Sequence, residues 1–217
     1  MYEEIKSILK VRGIAEIKAS PRTDQALLEI AAALGKVVPG ARNEMVQNLP
    51  ARKKGEGPIG SFSYSVGFGE FPWHTDTAYW DIPARYLLLY SQYASPCATL
   101  YQDFRLIREA IPDFDYLMDR SVFLLNVPGK KRYLSPCFGN SNEKGYRLDF
   151  HIYRPVNDEA RQLQFFVKGF LATNYCRQIW TGENIAIMDN WMFIHAREDA
   201  HSDQTRMLKR IYINELV

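Results

Sequence analysis

The sequence predicts a mainly β domain with helices at its periphery. Short runs of β-prone residues follow one another along the chain, and turn signals separate them. Aromatic residues make up 13% and hydrophobic residues 47% of the composition, which favours β structure and suffices for a substantial core. A chain of 217 residues fits one domain, so we predict a single domain over residues 1–217.

The N-terminal third is predicted to hold one helix and a long loop. Apolar residues recur at helical spacing over Asp24–Leu34, and Gly35 follows as a stop signal. Residues 43–69 are polar and contain Gly and Pro, which predicts a loop with one short strand at 61–65. Loops of this length often carry function.

The remainder is predicted to be strands interrupted by two helices. The predicted strands are 86–90, 122–127, 146–153, 185–188 and 211–214. The predicted helices are 103–110 and 157–176, the second with Asn157 as its N-cap. On that helix Leu163, Phe166, Phe170 and Leu171 are predicted to share one face.

Composition excludes several classes of protein. The 27 basic and 25 acidic residues give a net charge of +2, and the basic residues are mostly scattered, so no nucleic-acid partner is expected. No window of about 20 residues is apolar enough to span a bilayer, and the N-terminus lacks a signal-peptide pattern. The three cysteines are odd in number and widely spaced, which indicates reduced thiols. A soluble cytoplasmic protein is expected.

A histidine and a carboxylate, His74 and Asp76, stand two residues apart. In an extended segment such residues point to the same side, so both side chains can bind one ion. The pattern alone is weak evidence, because His201 and Asp203 repeat it. That second pair lies in a polar stretch typical of a solvated loop, whereas His74 leads toward a predicted strand.

A third ligand would complete the two-histidine, one-carboxylate set that leaves positions open on iron(II). The remaining candidates are His195 and His151. His195 closes a predicted strand, a tight turn at Asp189-Asn190 and a second strand, a path that returns a histidine to the same end of the fold. His151 lies in an alternating run, where a hydrogen-bonded strand histidine is the simpler interpretation. We therefore favour His195.

The order and spacing of these motifs resemble the taurine dioxygenase and clavaminate synthase-like family, over most of the chain. The motifs are His74-Thr-Asp76, Thr99-Leu-Tyr101, Asp189-Asn190 before His195, and Arg206-Met-Leu-Lys-Arg210. The resemblance implies a double-stranded β-helix, a jelly-roll variant. It also implies an iron(II)- and 2-oxoglutarate-dependent dioxygenase that consumes dioxygen and releases succinate and carbon dioxide.

The resemblance assigns roles to individual residues. His74, Asp76 and His195 would bind iron. Arg206, eleven residues after His195, would bind the distal carboxylate of 2-oxoglutarate with help from Thr99, a role suited to a guanidinium. Arg210 would contact an anionic substrate or support the co-substrate site. His195-Ala-Arg197 also resembles the clavaminate branch, so the branch stays open.

The predicted substrate is a small polar or anionic metabolite or an amino-acid derivative, such as those of secondary metabolism. It would be hydroxylated, or alternatively desaturated. Asp76 and His195 lie 119 positions apart, which leaves room for only a small lid and allows a carrier-bound substrate. The side chains predicted to wall the substrate are Phe71, Trp73, Tyr79 and Trp80, with Ser61, Ser63 and Tyr64 on the preceding loop.

Two other classes of protein fit the same three ligands. A metal-binding jelly roll without turnover would not need Arg206 and Thr99. A zinc hydrolase could also use an open site with two histidines and an aspartate, but the sequence offers no general base such as that of a His-Glu-x-x-His motif. Dependence on 2-oxoglutarate separates the three classes.

Overall fold

The computed structural model describes residues 1–57, 62–127, 129–140 and 143–217. Their helices are α1 (Tyr2–Arg12), α2 (Asp24–Leu34), α3 (Phe62–Val66), α4 (Phe104–Ala110), α5 (Phe114–Arg120) and α6 (Asp158–Leu171). Their strands are β1 (Ile14–Lys18), β2 (Gly35–Val38), β3 (Gln47–Pro50), β4 (Phe71–His74), β5 (Tyr86–Ser91), β6 (Ala94–Asp103), β7 (Phe123–Val127), β8 (Lys130–Leu134), β9 (Cys137–Asn140), β10 (Glu143–Tyr146), β11 (Tyr153–Pro155), β12 (Cys176–Thr181), β13 (Asn184–Asp189), β14 (Phe193–Arg197) and β15 (Met207–Leu216).

Two antiparallel sheets form the centre of the fold. The larger has the order β1-β13-β5-β15-β2, and β3 also pairs with β15. The smaller has the order β12-β6-β14-β4. Trp180 of the smaller sheet packs in one cluster with Leu87, Leu89 and Met188 of the larger, so the two sheets enclose a common core. This architecture confirms the predicted jelly roll.

The larger sheet is buried on both faces, which explains why β5 and β13 are apolar at nearly every position. Leu87 and Leu89 face the core between the sheets. The alternate residue Leu88 packs on the other side with Leu9 of α1 and Leu27 of α2, as the two-residue period of a strand requires. Helices α1 and α2 thus cover the outer face.

A third layer packs beside the smaller sheet. Helices α4, α5 and α6 share a hydrophobic cluster with β7 and β11, and Ile194 of β14 joins it. Strand β7 lies between β11 and β8 in a three-stranded sheet, and β9 and β10 form a separate hairpin. No helix in the described ranges is long and apolar enough to cross a membrane, and the three cysteines are free.

Two predicted strands are wrong. In place of a strand at 61–65 the structure has helix α3, which ends at Val66 and is followed by Gly67 with a positive φ of 66°; Ser61 lies outside the described residues. The predicted strand 146–153 stops at Tyr146. Beyond it the Asp149 side chain accepts the backbone N–H groups of His151 and Ile152, which turns the chain in place of a strand ladder.

The helix predictions need smaller corrections. Helix α2 has the predicted bounds, and Asn157 caps α6 by accepting the Ala160 N–H. Helix α6 ends at Leu171, short of the predicted residue 176, because β12 begins at Cys176. Val167 occupies the buried face in place of Phe166, which is 39% exposed. Helices α1 and α5 were not predicted as elements.

Candidate metal centre

The register of two strands brings the predicted ligands together. His74 at the end of β4 pairs directly with His195 of β14, and their ring centroids lie 4.3 Å apart. Asp76, two residues beyond His74, lies 3.9 Å from His74 Nε2 through Oδ1 and 3.8 Å from His195 Nε2 through Oδ2. One ligand atom from each residue lies within 4.8 Å of the others. All three side chains are buried.

Both imidazoles are prepared to act as neutral ligands. The Nδ1 atom of His74 is 2.8 Å from the Pro72 carbonyl oxygen, which makes Nδ1 the donor and leaves Nε2 as a lone-pair donor toward Asp76. Burial lowers the pKa of His74. Burial, with the nearby His74 and Arg210, lowers the pKa of His195 to about 3. Neutral imidazole is the form that binds a metal.

The Asp76 carboxylate is hydrogen-bonded through one oxygen, and its other oxygen has no hydrogen-bond partner among the described residues. Although burial alone would raise the pKa of Asp76, the Arg210 guanidinium lowers it, so the carboxylate is charged. Its Oδ1 accepts a 2.7 Å hydrogen bond from Arg210, whereas Oδ2 is buried without a hydrogen-bond partner among the described residues. A buried unsatisfied oxygen is costly, and a metal ion between the two histidines would satisfy it. The donor set therefore fits iron(II).

Asn190 holds the loop that carries Asp76. Its Oδ1 accepts the Asp76 N–H at 2.8 Å, and its Nδ2 donates to the carbonyls of Asp76 and Ala84, both at 2.9 Å. The Asp189-Asn190 turn was predicted from sequence, but this clamp was not. The turn also carries the chain from β13 in the larger sheet to β14 in the smaller sheet.

Replacing Asn190 by alanine should destabilise the protein and the site together. The change leaves one N–H and two carbonyls unpaired in a buried position, so we expect the free energy of unfolding to fall by about 3 kcal/mol. Asn174→Ala is the matched control, because Asn174 is exposed and should change stability by less than about 1 kcal/mol. Urea unfolding of both variants measures the difference. Equal losses would contradict the clamp.

A cavity of about 640 Å³ opens beside the three ligands, within the range of small-molecule sites. Of the predicted substrate-wall residues, Phe71, Tyr79 and Ser63 line it. Trp73 instead packs on the helical cluster, and Trp80 packs against Tyr212; neither lines the cavity.

The two rejected histidines lie away from the ligand cluster. His151 contacts Ser65, and His201 pairs with Asp199. Neither contributes an atom to the group formed by His74, Asp76 and His195. Context along the sequence therefore separated the histidines in the way the geometry does.

Arg206 is a buried cation in the same cavity. It is 6% exposed, donates from Nε to the Cys97 carbonyl at 3.0 Å and from Nη2 to Thr99 Oγ1 at 3.1 Å. Within the described part of the chain it forms no ion pair. Burial lowers its pKa to about 10, so it stays charged at neutral pH. A buried guanidinium without a carboxylate partner is costly, and an anion beside it would offset that cost.

Arg210 lies four residues after Arg206, on the same face of the strand. Arg206, Leu208, Arg210 and Tyr212 alternate inward, and all four line the cavity. Arg210 Nη1 pairs with Asp76 Oδ1 at 2.7 Å, and its Nε donates to Gln47 Oε1 at 2.9 Å. In this structure Arg210 therefore supports the candidate metal ligand Asp76 directly.

Other cavity residues were missed by sequence reasoning. Arg42 and Arg52 are exposed residues that line the cavity, and Gln47, which is not part of the lining, accepts hydrogen bonds from Arg210. Asp149 also lines it, and burial raises the pKa of Asp149 to about 7. Nothing in the sequence marks these positions, because strand pairing and turns distant along the chain bring them to the site.

Comparison with solved structures finds the same architecture. An asparagine oxygenase in complex with Fe(II), 3-hydroxyasparagine and succinate superimposes with a TM-score of 0.76 at 14% identity, covering 98% of this chain and 78% of that one. The chain has the fold of the non-haem iron oxygenases.

Two further structures with the oxygenase fold are similar to this chain. The non-haem iron oxygenase OrfP in complex with Fe and α-ketoglutaric acid gives a TM-score of 0.74 at 17% identity, covering 98% of this chain and 79% of that one. The PvcB protein from Pseudomonas aeruginosa gives 0.75 at 15% identity, with 98% and 80% covered. No protein-family model and no curated protein matches the sequence.

Proposed function

We propose that this protein is an iron(II)- and 2-oxoglutarate-dependent oxygenase that hydroxylates a C–H bond of a small amino acid or amino-acid derivative. The observation that carries the proposal is the pairing, in one cavity, of an open metal-ligand set with a buried, uncompensated arginine. His74, Asp76 and His195 supply the first. Arg206 supplies the second.

The residues of the chain perform binding and orientation. His74 Nε2, His195 Nε2 and Asp76 Oδ2 would hold iron(II). When bound, iron(II) with 2-oxoglutarate and dioxygen supplies the oxidising chemistry, in which 2-oxoglutarate becomes succinate and carbon dioxide and one oxygen atom enters the product. Such cofactor-borne chemistry leaves the protein to position the reactants and exclude water.

Arg206 and Thr99 would bind the distal carboxylate of 2-oxoglutarate. The Arg206 fork is already oriented by Cys97 and Thr99, so little side-chain freedom is lost on binding. Trp180 Nε1 donates to Thr99 Oγ1 at 3.1 Å, which fixes the hydroxyl. Arg210 holds Asp76 in place through Oδ1 and so leaves Oδ2 to the metal.

The substrate class rests on the cavity and on what similar folds bind. Structures with this fold contain 3-hydroxyasparagine and (3S)-hydroxy-L-Arg, and the 640 Å³ cavity can take a molecule of that size beside the co-substrate. Arg42 and Arg52 are exposed and line the cavity, so it reaches the surface there. A carrier-bound amino acid could enter by that route.

Conversion of 2-oxoglutarate to succinate tests the proposal. We expect the iron-loaded protein to release succinate in air, and we expect release to stop when iron is chelated or 2-oxoglutarate is omitted. The correct amino acid should accelerate release and gain one oxygen atom, which mass spectrometry detects. Iron binding with no succinate release under any of these conditions would favour the metal-binding jelly roll.

A further inference from the structure

Asp149 is a buried carboxylate that the metal centre does not use. It lies between β10 and β11, where its backbone forms an isolated bridge with His74, and its side chain lines the cavity. Only 2% of the residue is exposed. It therefore lies beside the iron ligands but on a different chain segment.

One carboxylate oxygen of Asp149 has a structural role. Oδ1 accepts the N–H of His151 at 2.8 Å and the N–H of Ile152 at 3.1 Å, and these bonds form the turn that leads into β11. An asparagine could make both bonds through its own Oδ1. The turn alone therefore does not explain a carboxylate at this position.

The other oxygen, Oδ2, has no hydrogen-bond donor and no cation partner among the described residues. Five arginines line the same cavity, yet none pairs with Asp149. Of the two acidic side chains that line it, Asp76 is bound by Arg210, and Asp149 is the uncommitted one. A buried carboxylate without a counter-ion is unfavourable, so a cationic group that reached Oδ2 would stabilise the charged form of Asp149.

The opposite charge is available elsewhere in the cavity. Arg42 and Arg52 line it, are exposed and form no ion pair within the described ranges. Arg42 also has a positive φ of 62°, a conformation that is uncommon for a residue other than glycine. A molecule carrying both an ammonium and an anionic group would therefore find a partner for each charge.

We propose that Asp149 recognises a primary ammonium group of the substrate, and that it thereby selects free amino acids over their N-blocked forms. This inference rests on the proposed oxygenase function and names the substrate group that the cavity selects. The property that Asp149 selects is positive charge. An asparagine at this position could accept a hydrogen bond from a neutral hydroxyl equally well, whereas only the carboxylate also pairs with the charge of an ammonium group.

Binding of amino acids to wild type and Asp149→Asn tests the inference. The probes are the twenty standard L-amino acids and the N-acetyl derivatives of those that bind, added without oxygen to the protein loaded with iron(II) and 2-oxoglutarate. Binding of each probe is detected as a change in the weak visible absorption of the iron–2-oxoglutarate complex. We expect at least one free amino acid to bind. Its N-acetyl form should bind at least about tenfold more weakly.

Asp149→Asn should weaken binding of that amino acid by about tenfold or more, while the visible band without amino acid and the melting temperature stay unchanged. Asp158→Asn removes a charge from an exposed ion pair on α6 and should bind like wild type. The inference is overturned if no free amino acid binds, if N-acetylation has no effect, or if Asp149→Asn binds normally. Absence of the band in wild type would instead overturn the proposed oxygenase function.

Discussion

His195→Ala should abolish metal binding and oxygenase activity. The change removes one of three ligand atoms that lie within 4.8 Å of one another. Only His74 and Asp76 are then left to bind the metal. Because loss of groups that only support a metal ligand already costs 10- to 100-fold in affinity, we expect loss of the ligand itself to cost at least about 100-fold. Dialysis against iron(II) followed by metal analysis measures the change.

Metal-dependent stability gives a second measurement of the same variant. At a free iron(II) concentration of about 100 times Kd, wild type should gain about 2.7 kcal/mol, which is roughly 5–10 °C in melting temperature for a chain of this size. His195→Ala should gain almost nothing. The matched control is His201→Ala, because His201 lies outside the ligand cluster and pairs with Asp199. A normal iron response in His195→Ala would show that the ligand assignment is wrong.

Arg206→Ala should separate co-substrate binding from metal binding. Two charge-assisted hydrogen bonds to a carboxylate are lost, each worth about 1.5–3 kcal/mol, so the Kd of 2-oxoglutarate should rise by roughly 100-fold or more. Iron affinity should stay within a few-fold of wild type, because Arg206 contacts Cys97 and Thr99 and no metal ligand. Titration of 2-oxoglutarate into the iron-loaded protein measures the first change, and dialysis against iron(II) followed by metal analysis measures the second.

Arg206→Lys should fall between wild type and Arg206→Ala, since lysine retains the charge but not the two-pronged geometry. Arg177→Ala is the matched control. Arg177 lies on β12, is exposed and pairs with Glu198. It should bind 2-oxoglutarate normally. Unchanged 2-oxoglutarate affinity in Arg206→Ala would remove the basis for a co-substrate site at this position.

The elements of the fold that were predictable carry local signals. Helix α2 shows helical spacing and a terminal glycine, and β5 and β13 are continuous apolar runs. Pairing is not local: β13 lies between β1 and β5, and its neighbour in sequence, β14, joins the other sheet. The predicted strand at 146–153 failed because a single side chain, Asp149, forms a turn that its neighbours do not indicate.

The candidate site also has a part that local sequence signals predict and a part that they do not. His74 and Asp76 could be found because their spacing places both on one side of an extended segment, and His195 because a predicted turn precedes it. The contacts of Asn190 with Asp76 and of Arg210 with Asp76 span 114 and 134 positions. Only the folded chain reveals such contacts, so the support of Asp76 by Asn190 and Arg210 could not be predicted from the sequence.

The most direct test of the central claim is an anaerobic titration of the metal-free protein with iron(II) and 2-oxoglutarate. If His74, Asp76 and His195 hold iron beside Arg206, a weak visible charge-transfer band should appear only when both are present. Its intensity should saturate at one iron per chain, and both His195→Ala and Arg206→Ala should lose the band under the same conditions. Iron binding without the band in wild type would contradict the claim.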